Sequence, residues 1–360
     1  MARRPNRNAA PFLRRVTGLL VIAAIGGGVW WALSDQAFLS RLKALAGSSD
    51  VDLADSPAPR AAATPGNATD LSEMPALVAT GASSDAGDAA GGATPDSWPA
   101  LAPSALLEQS ASAGRTLNDT EFDQPPWRRF ARPAAVGTGH PRIGILLTGL
   151  GNDRAIAAAA IAGLPADVTL SFSPYAPDLG EWIAAARAFG HEAMVDLPLQ
   201  AKDGRDLGAL GVMTALNQNE AGRRIDAIAG SADHVVGFAA AGGDALLLDD
   251  QATATVLGET ARLGLGFIDT SGEPMSLGAT TAKASGAPFA RTVLSLDDSP
   301  SRAGIAARLA VALQLASRDG GALAVAHASP ATITAIADWT RQLGDNDPAT
   351  VPASAFLKTD

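Results

Sequence analysis

From Arg142 onward, short apolar runs alternate with stretches that read as helix, and this alternation restricts the fold more than any other feature. Residues 143–147 are wholly apolar and end in Thr148-Gly149-Leu150-Gly151, after which Asn152-Asp153 starts an alanine-rich helix. Further strands are predicted at 167–172, 193–197, 234–238, 265–269, 289–294, 322–326 and 350–352. A helix capped by Asp178 is predicted through Arg187, others over 252–263, 301–317 and 330–343, and a long loop runs from the third strand to about Ala215. A strand covered on both faces loses the polar alternation of a half-exposed one. Continuous apolar runs, each followed by a helix, therefore describe an α/β parallel sheet that is covered on both sides or closed into a barrel. Function in such folds gathers at the C-terminal strand ends. Here those ends are Thr148, Ser173-Pro174, Asp196, Ala239 to Ala241, Asp269, Asp297 and His327.

The first third of the chain is of another kind. Residues 1–15 carry Arg3, Arg4, Arg7, Arg14 and Arg15 and no acid, and read as a cytoplasmic basic tail. Residues 16–33 carry no charge, and their 18 residues at ~1.5 Å each just span a ~30 Å hydrocarbon core. Trp30 and Trp31 stand at the outer end, where amphipathic rings favour the headgroup level. The segment is expected to be a single-pass anchor in the inner (cytoplasmic) membrane, with everything after Ser34 exported to the periplasm. A cleaved signal peptide is the rival, with Ala44-Leu45-Ala46 as a distant small-x-small site, and a buried core helix is the bland alternative. Residues 34–126 are rich in Ala, Pro and Asp and read as a disordered linker, with a short helical turn at Ala105-Leu106-Leu107. The folded domain is expected over 127–360, with Pro125 to Phe130 as a docked lead-in. A net charge of −10 gives no reason to seek nucleic acid, and the absence of cysteine removes disulfides and thiolate chemistry.

Familiar catalytic motifs fail one by one. Arg154 stands where a dinucleotide fingerprint needs its third glycine, so Gly149-Leu150-Gly151 reads as a tight turn. His191-Glu192 opens like a zinc-protease motif, but Val195 replaces the second histidine. His140, His191, His234 and His327 are scattered, without a zinc-binding pair. Among the acids, Asp249-Asp250 and Asp297-Asp298 read most simply as helix caps. Asp196 and Asp269, at strand ends, are candidates for chemistry.

The order of segments resembles the divergent polysaccharide deacetylase family, relatives of the NodB-type carbohydrate esterases. The resemblance rests on IGILLTGLGND, LPADVTLSFSPYAP, ARAFGHEAMVDLPLQ, GLGFIDTSG, APFARTV and GGALAVAHASPATITAIADWTRQL, and covers about 142–356. It implies a NodB-like (β/α) barrel, distorted or incomplete, acting on extracytoplasmic glycans. The family would use a divalent metal such as zinc to activate water for deacetylation. This chain departs from the family where that metal would sit. Thr148-Gly149 replace the family's Asp-Asp, Asp196 replaces the histidine before Leu-Pro, and Ala239-Ala240-Ala241-Gly242 replace an Asn-Asn-His-x-Gly run.

With no metal site or cofactor expected, the cleft candidates are Asp196, Asp269, Arg291 and His327, with Tyr175 and Trp182 for substrate binding. Arg291 could clamp a carboxylate or hold Asp269; His327 could be an acid/base or a packed histidine. The leading expectation is a membrane-tethered pseudoenzyme that binds a glycan or an envelope protein. An active hydrolase with a rearranged site and a structural envelope assembly protein stay open beside it.

Overall fold

The computed structural model describes residues 98–113, 123–134, 136, 139–344 and 346–359. The expected anchor lies outside them, and no helix among the described residues is long and apolar enough to cross a membrane.

A parallel sheet organises the domain. Its strands are β1 (Arg142–Leu150), β2 (Thr169–Phe172), β3 (Ala193–Leu199), β4 (Gly237–Gly242), β5 (Gly266–Asp269), β6 (Phe289–Arg291), β7 (Leu294–Ser295), β8 (Gly321–His327) and β9 (Ala349–Thr350). Their order is β6-β5-β4-β3-β2-β1-β8-β7, with β9 beside β1. The helices are α1 (Pro103–Ala113), α2 (Pro126–Arg129), α3 (Arg154–Gly163), α4 (Leu179–Ala188), α5 (Gln218–Gly230), α6 (Asp250–Arg262), α7 (Gly278–Ser285), α8 (Arg302–Asp319) and α9 (Pro330–Thr340).

The two ends of this sheet, β6 and β7, are separated by only Thr292 and Val293. Thr292 donates its N–H to the Asp269 carbonyl at the end of β5 (3.0 Å), and Val293 donates to the Leu323 carbonyl of β8 (2.8 Å). One bent run of chain thus pairs with both ends, which breaks the single strand expected over 289–294 in two. The curled parallel sheet that results fits a distorted NodB-like barrel.

The pleat divides the strand residues into two sets. Ile145, Leu147, Leu170, Phe172, Val195 and Phe267 face the helical layer. Leu146, Met194, Ala239, Ile268, Ala290 and Leu323 face the barrel axis. Trp127 and Phe130 of the lead-in and Phe356 near the C-terminus pack against this inner set. Deeper in, the buried Glu192 carboxylate accepts from the Thr169 hydroxyl (3.1 Å) and the amides of Ser354 (3.0 Å) and Arg132 (3.3 Å). These bonds tie both ends of the domain to the start of β3, at the N-terminal end of the barrel.

Several caps and boundaries differ from expectation. Asp153 and Asp249 cap α3 and α6. Asp178 does not cap α4; its backbone is left-handed (φ 60°), and its carboxylate pairs with Arg154 instead (3.1 Å). Ser301, not Asp297 or Asp298, caps α8 through the Gly304 amide (3.0 Å). The stretch read as linker contains α1, an 11-residue helix rather than a single turn, whose Leu106 is 0% exposed and belongs to the outer core. Leu106→Ala is therefore expected to destabilise the protein by about 2–5 kcal/mol, the usual loss for a fully buried leucine. Urea denaturation of the full chain measures it; an unchanged midpoint would place α1 outside the cooperative unit.

Candidate functional site

The C-terminal ends of β1, β2, β3 and β8 bring one polar group together. Asp196 shares the parity of Met194, Thr148 that of Leu146, and His327 that of Leu323, so all three belong to the inner face. Ser171 lies between the outward Leu170 and Phe172 and joins them. Asp196 is only 5% exposed. Its Oδ1 accepts from the Ser171 hydroxyl (2.5 Å) and its Oδ2 from the Gly149 amide (2.8 Å). Burial raises its pKa; the Ser171 and Gly149 bonds and the nearby His327 pull it back down.

Gly149 has φ 79°, and a Cβ there would lie 2.0 Å from His327 Cε1. The imidazole thus rests on a residue of this turn that has no side chain. The His327 amide donates to Asp297 Oδ2 (2.8 Å), and Asp297 Oδ1 accepts from the Ser295 hydroxyl (2.8 Å). Asp297, expected as a cap, instead fastens the end of β8. Thr148 turns its hydroxyl to the Ala326 carbonyl (3.2 Å).

The other candidates lie elsewhere. Asp269 and Arg291 share the parity of Phe267 and Phe289, which pack with the outer core, so the pleat sets them on the far side of the sheet from Asp196. Asp269 is buried and accepts from Ser271 N (2.9 Å), Ser271 Oγ (2.6 Å) and Ser276 Oγ (2.8 Å). Arg291 Nε stands 3.8 Å from it, an ion pair without a hydrogen bond. Tyr175 is 43% exposed. Its hydroxyl donates to the Leu207 carbonyl (2.5 Å) and accepts from the Leu210 amide (2.8 Å), pinning the loop after β3. Trp182 is 1% exposed, packed with Leu179 and Ile183 on the buried side of α4, and has no face for a sugar. His191 is structural, its two ring nitrogens set against the carbonyls of Val168 (2.9 Å) and Ile161 (3.0 Å). Ser171 and the clamping role of Asp297 were not anticipated. The former carries a signal, since Thr169, Ser171 and Ser173 alternate with apolar residues.

These side chains do not fit the metal that the resemblance implies. Among the described residues no three His, Asp or Glu side chains converge as ligands. A catalytic zinc takes three protein ligands and an open position; the mouth holds the Asp196 and Asp297 carboxylates and the His327 imidazole, and these do not converge as a ligand set.

The model of the family described as divergent polysaccharide deacetylase matches residues 145–357. The chain belongs to this family. Among curated proteins, the uncharacterized protein YibQ of Escherichia coli (strain K12) is 25% identical over 199 residues, 55% of this chain and 61% of YibQ, so the chain covers less than two thirds of that relative. Among solved structures, the uncharacterized protein ATU2773 of Agrobacterium tumefaciens C58 is 28% identical with a TM-score of 0.63, over 67% of this chain and 99% of that one. In this member of the deacetylase family, Asp196, Gly149 and His327 occupy the C-terminal mouth of the sheet.

Two outcomes follow from the geometry. Gly149→Ala is expected to push His327 off its seat and strain the turn, at a cost of about 1–3 kcal/mol. Denaturation together with the His327 imidazole NMR signals reads this; an unmoved ring and unchanged stability would overturn the contact. Burial raises the pKa of both Asp196 and Glu192. The folded state then holds protons that the unfolded chain has already released, so stability from these groups is full below the unfolded value of about 4 and falls as pH rises through the folded values. The urea midpoint should accordingly rise on acidification from neutrality less steeply in Asp196→Asn/Glu192→Gln than in the wild type. Identical slopes in the two proteins would contradict the raised values.

Proposed function

We propose that this protein is a membrane-tethered, periplasmic deacetylase homologue that binds a cell-envelope glycan through the barrel mouth without hydrolysing it. The observation that carries this reading is the end of β1. In the family pattern two carboxylates stand there; here Thr148 spends its hydroxyl on a carbonyl, and His327 fills the space beside Gly149. A side chain cannot be restored at 149 without moving the histidine. Polar strand ends are kept while the means of activating water are not, which favours binding over turnover. The tether and the compartment rest on the arginine-flanked apolar run at 16–33.

The test is metal retention and turnover by the full-length protein, incubated with zinc and dialysed against metal-free buffer. Far less than one zinc per chain and no release of acetate from acetylated glycans are expected. Near-stoichiometric zinc accompanied by deacetylation would overturn the proposal.

One observation favours a second reading, metal-free hydrolysis by Asp196 and His327: both groups meet at Gly149. Any hydrolysis detected should then vanish in Asp196→Asn/His327→Ala. Undiminished hydrolysis in that variant would end this reading.

A further inference from the structure

We infer that an apolar groove between α3 and α9, on the helical layer, is the docking site of a segment of this chain's own N-terminal third, Leu71 to Val78.

The groove has a volume of about 350 Å³, at the lower end of the range for ligand pockets. Ala158 and Ala162 of α3, Ile333 and Ala337 of α9, and Trp98 and Leu101 before α1 line it. Alanines on two neighbouring helices leave space that larger apolar side chains from elsewhere can take. The polar groups at its edge have partners within the protein. The Thr334 hydroxyl donates to the Pro330 carbonyl (2.8 Å), and the Asp338 carboxylate accepts from both Arg302 and Arg341. What is left to a ligand is apolar wall with arginine at its border.

The course of the chain points to the occupant. Trp98 is the first described residue and forms part of the groove, so the preceding chain enters beside it. Residues 79–97 contain no valine, leucine, isoleucine, methionine or aromatic residue. Going back from Trp98, the first large apolar side chains are Val78, Leu77, Met74 and Leu71. A random-coil connection of those 19 residues has an end-to-end distance of roughly 24 Å. Helix α3, with 10 residues, is only about 15 Å long, so the segment can return to the groove without strain. Its tether gives it a local concentration in the millimolar range, which a separate molecule does not reach.

Charge agrees with this choice. Asp338 is one carboxylate between two guanidinium groups, and Arg302 and Arg341 pair with no other acid among the described residues. The border is therefore net positive. Asp70 and Glu73 bring two negative charges to the segment, which has no base. Exposed pairs of this kind add little affinity, but they orient what binds. Docking also sets reach. With an anchor at 16–33, the tether changes from residues 34–97 to residues 34–70, and random coils of these lengths span roughly 44 Å and 33 Å.

Cysteine pairs in the full-length protein, held in detergent-free lipid nanodiscs, test the inference, because the chain has no cysteine of its own. Ala162→Cys marks the groove, and Leu71→Cys, Met74→Cys or Leu77→Cys marks the segment. Ser84→Cys, nearer to Trp98 along the chain, is the control. Loop closure alone favours the shorter loop, so a chain that is only tethered joins 84 to 162 at least as readily as the others. Docking is expected to reverse that order in glutathione buffer, at least one segment pair forming its intrachain disulfide about tenfold more readily than the control. A control that matches or exceeds all three pairs overturns the inference. Disulfides mainly between chains overturn it in favour of a second copy. In a separate measurement, Met74→Asp/Leu77→Asp is expected to speed hydrogen exchange of the α3 and α9 amides several-fold. Unchanged exchange in that variant overturns the inference as well and leaves the groove to lipid or to solvent.

Discussion

A parallel strand that is curled into a barrel-like sheet must bury both faces, and the two faces meet different neighbours. Outward, each strand meets a helix, and large apolar side chains fill the gap. Inward, it meets the other strands across the axis, where space is short. Beside the inward Leu146, Met194, Ile268 and Leu323, the chain answers with small residues: Ala239, Ala290 and glycines such as Gly237, where a Cβ would lie 2.0 Å from the Gly266 carbonyl oxygen. At the N-terminal end the axis is filled by rings from outside the sheet, Trp127, Phe130 and Phe356, and by the bonded Glu192 carboxylate. At the C-terminal end the inner positions Thr148, Ser171, Asp196 and His327 are polar. The parity of the pleat thus decides which residues form the core and which form a site.

The same parity explains what could be read from the sequence. The outer set stands as apolar runs bounded by glycine, so β1, β2, β3, β5 and β8 were legible to within a few residues. The inner set resists such reading because small and hydroxyl residues resemble loop. Ala239 to Gly242 continue β4, yet by composition they look like a turn, and the strand was placed too early. Helices with few apolar positions were missed for a related reason. The buried side of α5 is only Ala221, Gly222, Ile225 and Ile228, and that of α7 is Gly278 and Ala282.

At the site, the pairing of Asp196 with His327 was legible as two strand ends, and its separation from Asp269 and Arg291 was not. Residue type and strand-end position put all four in one cleft. A one-residue change of parity puts the latter two on the other side of the sheet. Trp182 erred in a similar way, since an aromatic near a strand end is as useful to a helix packing on the sheet as to a sugar. For Tyr175 the phenol hydroxyl is occupied by the backbone of the loop it holds, so what it presents to a ligand is ring surface rather than a hydrogen-bonding tip.

A mouth of this kind is not simply a damaged active site. Losing a ligand carboxylate usually leaves a cavity or an orphaned partner, and either would cost stability. Here the space beside Gly149 is taken by His327, the Gly149 amide has Asp196 as its acceptor, and the His327 amide has Asp297. Each polar group of the turn named here has found a partner within the protein. A neutral replacement would be simple, since an asparagine at 196 could keep the Gly149 bond through its carbonyl and donate to Ser171 through its amide. A buried carboxyl kept where a neutral isostere would make the same two bonds is not explained by those bonds alone.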